Sequence, residues 1–169
     1  MPVIVPLRQR SDLVPFFAQC FEVEWPDWYG TNREADARSD LLEFANPAGE
    51  LPVGVVALDE DSSPVGIAAL KATSIDGYAH VGPWATAGYV IPSRRREGIG
   101  ALLLGALQEE AQRLRFSEIY CATASAVSLL EREGWTRIDA VSHDGGTQFI
   151  FRIALDVVPA ARRPWGESR

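Results

Sequence analysis

Three arginines stand in a row where a strand-like run meets a glycine-bearing helix start, in Tyr89-Val90-Ile91-Pro92-Ser93-Arg94-Arg95-Arg96-Glu97-Gly98-Ile99-Gly100-Ala101. Pro92 ends the run, and the first turn of the helix expected next holds two glycines and an alanine. Small residues there let an anion approach the backbone closely, while the free N–H groups and the positive end of the helix dipole face it. The chemistry expected of such a turn is the binding of a phosphate or pyrophosphate. The dinucleotide pattern G-x-G-x-x-G and a nucleotide loop ending in Gly-Lys-Ser/Thr are both missing. A plainer reading stands beside this one: Gly98 and Gly100 let the helix pack closely on a sheet, and the arginines are a solvated charge run.

A second group lies nearer the start. Leu13, Phe16, Phe17, Cys20 and Phe21 recur at the spacing of one buried helical face, and three residues past Phe21 the same stripe reaches Glu24. A carboxylate aimed toward the protein is a candidate general base; an ordinary helix-end carboxylate turned to solvent is the alternative. Trp25, Asp27, Trp28 and Tyr29 follow at once, readable as core cover or as the wall of a pocket. His80, in a polar loop, is read as exposed.

These groups need a soluble scaffold, and the composition supplies one. The chain has 169 residues, 23 acidic and 16 basic, for a net charge of -7, and 47% of it is hydrophobic. That suits one domain with a proper core. No window approaches the ~18 apolar residues of a membrane span. The acidic balance argues against nonspecific binding to nucleic acid or an anionic membrane. Cys20 and Cys121 lack disulfide or metal-ligand spacing, so they are read as reduced, buried thiols of a cytoplasmic protein, and no metal is expected. The N-terminal residues lack the basic region and cleavage site of a signal peptide.

The elements expected to position the two groups begin with a strand at 3–8 and a helix capped by Ser11. A second helix starts at a Thr31/Glu34 capping box and ends near Asn46-Pro47. Strands at 52–59, 64–73 and 84–91 precede a helix over 98–114. A strand at 119–122, a short helix at 127–133 and a hairpin centred on Asp144-Gly145-Gly146 complete the order. The string is β-α-α-β-β-β-α-β-α-β-β, a mixed α/β sheet. It occupies residues 1–157, and 158–169, rich in Arg, Ala and Pro, read as a flexible tail.

Arg95-x-x-Gly98-x-Gly100 resembles the acetyl-CoA loop of the Gcn5-related N-acetyltransferase superfamily, whose pattern is Gln/Arg-x-x-Gly-x-Gly/Ala after a Val-x-Pro strand end. Ala126-Val127-Ser128-Leu129-Leu130-Glu131-Arg132-Glu133-Gly134-Trp135 is similar to that family's second motif, Ala-x-x-Leu-Tyr-x-x-x-Gly-Phe, at the usual separation. The element order over 2–155 is similar as well. The resemblance implies acetyl-CoA as co-substrate, its pyrophosphate on the backbone amides of Arg95, Arg96, Glu97, Gly98, Ile99, Gly100 and Ala101. It implies that Val90 pairs with the pantetheine arm, that Thr123 stands where many members have Asn, and that Arg94 and Arg96 reach toward the 3′-phosphate.

The sequence also departs from the pattern. Leu130 replaces the Tyr that in many members protonates the departing thiolate; Ser128 and Tyr120 are the remaining candidates. Strand 84–89 lacks the Glu that often serves as base, which leaves Glu24, with Asp27 and His80 behind it. A lysine-like amine must shed ~3.4 pKa units at pH 7, nearly ~5 kcal/mol, whereas an α-amine of pKa ~8 costs ~1 kcal/mol. The reading reached is transfer of acetyl to a primary amine, of a small molecule or a peptide, by direct attack in a ternary complex. A strand amide at Val90 serves the oxyanion, and Trp25, Asp27, Trp28, Tyr29 and Tyr89 line the acceptor pocket. Glu22, Glu24 and Asp27 would give that side its negative charge. A non-catalytic CoA-binding module is the alternative, a nucleotide-binding domain a third, and a homodimer is left open.

Overall fold

The computed structural model describes residues 1–30, 35–143 and 145–156. The expected Thr31/Glu34 capping box, Asp144 of the hairpin, and the tail 158–169 fall outside these residues.

Strand β1 (Val3–Pro6) is followed by two short 3-10 turns and helix α1 (Val14–Glu24). The expected stripe is rotated. Val14, Phe17, Ala18 and Phe21 face the core, Cys20 is half-buried, and Phe16 is 39% exposed. Val14 and Ala18 flank Phe17 and Phe21 at helical spacing just as Phe16 and Cys20 do, and it is the Val14/Ala18 side that packs on the core. After α1, Pro26–Tyr29 form one further turn, α2, with Pro26 at the position where proline needs no N–H partner. Gly30 closes it, and a Cβ there would lie 2.1 Å from the Pro26 carbonyl oxygen. Helix α3 (Ala37–Phe44) is capped by Asp36, whose carboxylate accepts the Arg38 N–H at 3.0 Å.

Strands β2 (Val53–Leu58), β3 (Pro64–Lys71) and β4 (Trp84–Val90) come next. Helix α4 (Ile99–Arg113), strand β5 (Glu118–Thr123), helix α5 (Val127–Arg132), and strands β6 (Thr136–His143) and β7 (Gly146–Ala154) follow. They match the expected order, with α2 added. The seven strands form one sheet in the order β1-β2-β3-β4-β5-β7-β6. Every pairing is antiparallel except β4 with β5.

One face of the sheet packs Phe17, Phe21, Leu41 and Phe44 of α1 and α3 over Val56 and Ile67. The other packs Leu103, Leu107 and Leu130 of α4 and α5 over Val55, Leu70, Ile119 and Phe151. A smaller cluster of Ile75, Trp84, Tyr120 and Ile150 lies beside the first. Side chains alternate faces along β5, so Ile119 and Cys121 belong to the α4 side and Tyr120 to the opposite side. No helix of the described residues is long and apolar enough to cross a membrane.

Candidate active site

Two irregularities in β4 create the site. The parallel β4–β5 pairing holds for only two steps, Trp84 with Tyr120 and Ala85 with Cys121. Toward their C-terminal ends the strands then separate. On its other edge β4 carries an extra residue: Ile67 pairs with Tyr89 but Ala69 pairs with Thr86, so two steps on β3 answer three on β4. Ala87, inside this bulge, has φ 55°, and the bulge bends the strand away from β5. The signal available in the sequence was Gly88 among small residues inside a strand, a frequent mark of a bulge.

The result is a groove of about 760 Å³, within the usual ligand-pocket range. Thr86 to Val90 form one wall, Cys121 to Ala126 the other, and the start of α4 forms the floor. Ile91 N–H donates to Val65 on β3 at 3.0 Å. Peptide groups alternate direction along a strand, so those of Val90 face away from β3, into the groove. Arg95 Nε donates to the Val90 carbonyl at 2.9 Å, in keeping with that direction.

At the floor, Gly98 caps α4 with φ 83° and no side chain caps the helix. The first bond within the helix runs from Leu102 N–H to the Gly98 carbonyl, which leaves the amides of Ile99, Gly100 and Ala101 without helical partners. A Cβ at Gly98 would have no protein atom within 4 Å, so the space in front of these amides is open. At Gly100 a Cβ would sit 3.0 Å from Leu129 Cδ2, so its small size also serves close packing on α5. The close-packing reading thus applies at Gly100, while Gly98 leaves the space before the amides open. Uncapped amides, a positive dipole end and open space fit a pyrophosphate.

The three arginines part company. Arg94 is held by Asp59 at the end of β2 and by Glu97 at 2.9 Å, and it braces the loop. Its guanidinium is thereby occupied, and Glu97, spent on the same pair, is not in the lining of the groove. Arg95 turns back over the Tyr89 ring, 5.6 Å from its centroid, and Nη2 reaches Glu24 Oε2 at 3.3 Å. Arg96, at φ 64°, lines the groove exposed, as does Arg132 of α5. Arg132 was missed as a site residue although it stands in the second motif, because nothing local shows that α5 turns it toward α4.

Glu24 is exposed, lines the groove and is engaged by Arg95. Trp25 and Tyr89 line it too; Asp27, Trp28 and Tyr29 do not. Tyr29 is core, 8% exposed, with its hydroxyl donating to Asp40 at 2.7 Å. Burial and then this carboxylate push its pKa up. Trp28 is 43% exposed and packs edge-on against Tyr29. Asp27 is exposed, and Glu22 lies at a separate depression beside Arg38. The acidic group expected on the acceptor side thus contributes only Glu24 to the groove. His80 is exposed and stacks on Tyr78.

Thr123 is buried and its hydroxyl oxygen accepts the N–H groups of Ser125 and Ala126, 3.2 and 2.9 Å away, which closes the turn that leads into α5. Leu130 is 1% exposed, inside the α4–α5 core. Tyr120 faces the other side of the sheet and donates to Glu118. Ser128 is exposed and is not part of the lining. Cys20 and Cys121 are free thiols. Burial pushes the Cys121 thiol up to about 12.

The comparisons with known proteins agree with this geometry. No curated protein sequence matches the chain. Among solved structures, an aminoglycoside 6′-N-acetyltransferase complexed with coenzyme A superposes with a TM-score of 0.73, at 16% identity over 94% of this chain and 98% of that one. A GNAT superfamily phosphinothricin acetyltransferase from Sinorhizobium meliloti, in complex with acetyl-CoA, gives 0.70 at 18% identity over 91% and 88%. The spermidine/spermine N-acetyltransferase of Vibrio cholerae gives 0.64 at 17% identity over 91% and 95%. At such identities the likeness is one of fold. The model of the GNAT acetyltransferase family matches residues 17–135, spanning both motifs and the strands between them, and the chain belongs to that family.

Proposed function

We propose that the protein transfers acetyl from acetyl-CoA to a primary amine by direct attack in a ternary complex. The observation that carries this reading is the groove opened by the divergence of β4 and β5, which ends on the uncapped amides of α4 before the open space at Gly98. Acetyl-CoA supplies an acyl carbon activated as a thioester. The amides of residues 95–101 hold its pyrophosphate, and Arg96 and Arg132 supply charge for its phosphates. The Val90 peptide and the Thr123 hydroxyl, which keeps its hydrogen to donate, face the pantetheine path. The Val90 N–H is the donor for charge building on the acyl oxygen.

Glu24 is the base, directly or through one water, since it is the carboxylate among the described lining residues. A tyrosine acid is missing, because Leu130 is buried and Tyr120 points to the other face. A thiol of pKa ~8.5 leaves as thiolate without one. A covalent acetyl-cysteine route is disfavoured, because burial raises the Cys121 pKa and holds it as a neutral thiol.

The buried Leu130 favours one second reading, a module that binds CoA without turnover. Purified protein with acetyl-CoA and a panel of amines, followed by free-thiol release, separates the two. Acetyl-CoA should raise the melting temperature, and at least one amine should release thiol. Thermal protection with no turnover on any amine would favour the module, and no protection would remove the CoA site itself.

A further inference from the structure

We infer that the acceptor is a zwitterionic α-amino acid with an apolar side chain, its ammonium held by Glu24 and its carboxylate by Arg95. The inference rests on the acetyl transfer proposed above and names the acceptor class of that site.

Glu24 and Arg95 meet through a single contact of 3.3 Å, with 37% and 44% of their side chains exposed. The guanidinium is fixed from behind, by the Val90 carbonyl on Nε and by the Tyr89 ring beneath it. Its orientation is therefore set before any acceptor arrives. Among the described residues neither Nη1 of Arg95 nor Oε1 of Glu24 has a protein partner. The pair thus presents one unclaimed donor edge and one unclaimed acceptor oxygen, side by side at the groove.

The charge around this pair narrows the choice. Glu24 is the one carboxylate among the described residues lining the groove. Arg94, which also lines the groove, is neutralised by Asp59 and Glu97, and Arg96 and Arg132 are the cations proposed above for the cofactor's phosphates. With a phosphorylated cofactor in place, the acceptor end carries one negative and one positive group and no net charge. A polyamine or aminoglycoside would find a single carboxylate already shared with an arginine. A lone ammonium would meet Glu24 but stand beside the Arg95 cation. A carboxylate one carbon away from that ammonium fills the free Nη1 edge and balances both charges. The half-buried Trp25 ring and the small Ala87 and Gly88 leave an apolar wall for the side chain.

In the transfer, a bond forms between the α-nitrogen and the acyl carbon while the C–S bond breaks. The nitrogen sheds two protons: Glu24 passes one to solvent, and the other ends on the departing sulfur.

The test is thiol release from acetyl-CoA with the α-amino acids, the methyl esters of the apolar ones, phenethylamine and spermidine, in wild type and Arg95→Gln. Glutamine is the other residue of the family pattern at this place, so the loop's amides are kept. At least one apolar amino acid should exceed its own ester, and spermidine, by 10-fold or more in kcat/KM. The ester's amine is the more easily deprotonated, so intrinsic reactivity runs against that order. Arg95→Gln should bring the acid-to-ester ratio to within 3-fold, each ratio being measured at saturating acetyl-CoA. The inference is overturned if the ester or spermidine serves as well as the acid, if Arg95→Gln keeps the ratio, or if acetyl-CoA protects the fold yet no amino acid turns over. Absence of acetyl-CoA protection would instead sink the transfer reading, and this inference with it.

Discussion

Gly98 and Gly134 form a matched pair that isolates the cofactor cradle from the stability of the fold. Both have left-handed backbone, φ 83° and 85°, and at both an added Cβ meets no protein atom within 4 Å. Gly98 lines the groove and Gly134, after α5, does not. Alanine at either place costs roughly 1–2 kcal/mol for the left-handed conformation, offset by about 0.4–1 kcal/mol from a less flexible unfolded chain. The net is about 1 kcal/mol, or about 2–4 °C in melting temperature for a domain of this size. The two substitutions should therefore cost the same stability. They should differ in binding, because only Gly98→Ala puts a methyl group into the space before the α4 amides. Losing even one hydrogen bond to a charged phosphate, about 1.5–3 kcal/mol, weakens binding about 10- to 150-fold. Calorimetric titration with coenzyme A and thermal melts of both variants provide the comparison. Coenzyme A binding within 2-fold of wild type in Gly98→Ala, or an equal loss in Gly134→Ala, would refute the cradle.

Three further outcomes follow from the same geometry. Glu24→Gln should lower turnover at pH 7 by about 10-fold or more and move the rate profile to higher pH, since the amine must then deprotonate unaided; an unchanged profile removes Glu24 from the mechanism. Leu130→Tyr, which restores the residue many relatives carry, should destabilise by about 1–3 kcal/mol, because that side chain is buried in a packed core; a melting temperature equal to wild type would contradict the packing described. Tyr29→Phe should leave acceptor KM unchanged if Tyr29 is core. Burial raises the pKa of Tyr29 in the folded state, so its contribution is intact below the unfolded value of about 10 and is lost as pH rises above it. Tyr29→Phe should therefore flatten the alkaline fall in stability, measured by urea titration between pH 9 and about 11.

The cofactor half of the site was legible because its signals are local. A proline at a strand end, small residues at the start of α4, and uncapped amides all follow from consecutive residues. The hydrophobic periods that place the strands and α4 are likewise short-range. Of the residues expected on the acceptor side, Glu24, Trp25 and Tyr89 line the groove. Tyr29 and Trp28 read equally well as wall or cover, and what sent Tyr29 inward was Asp40, eleven residues away in sequence. Periodicity gives the spacing of an apolar face but not its rotation on the core, so Phe16 was expected inside and stands out while Val14 and Ala18 are buried.

By itself, then, the sequence determined the family, the element order and the glycine-bearing turn into α4, all carried by signals within a few residues. Only the tertiary structure decided which charges face one another. It spent Arg94 on Asp59 and Glu97, turned Arg95 onto Glu24, and left Arg96 and Arg132 on the groove. Long flexible side chains settle by the partners that packing brings within reach, and those partners come from α1, β2 and α5, distant in the chain but adjacent in the fold.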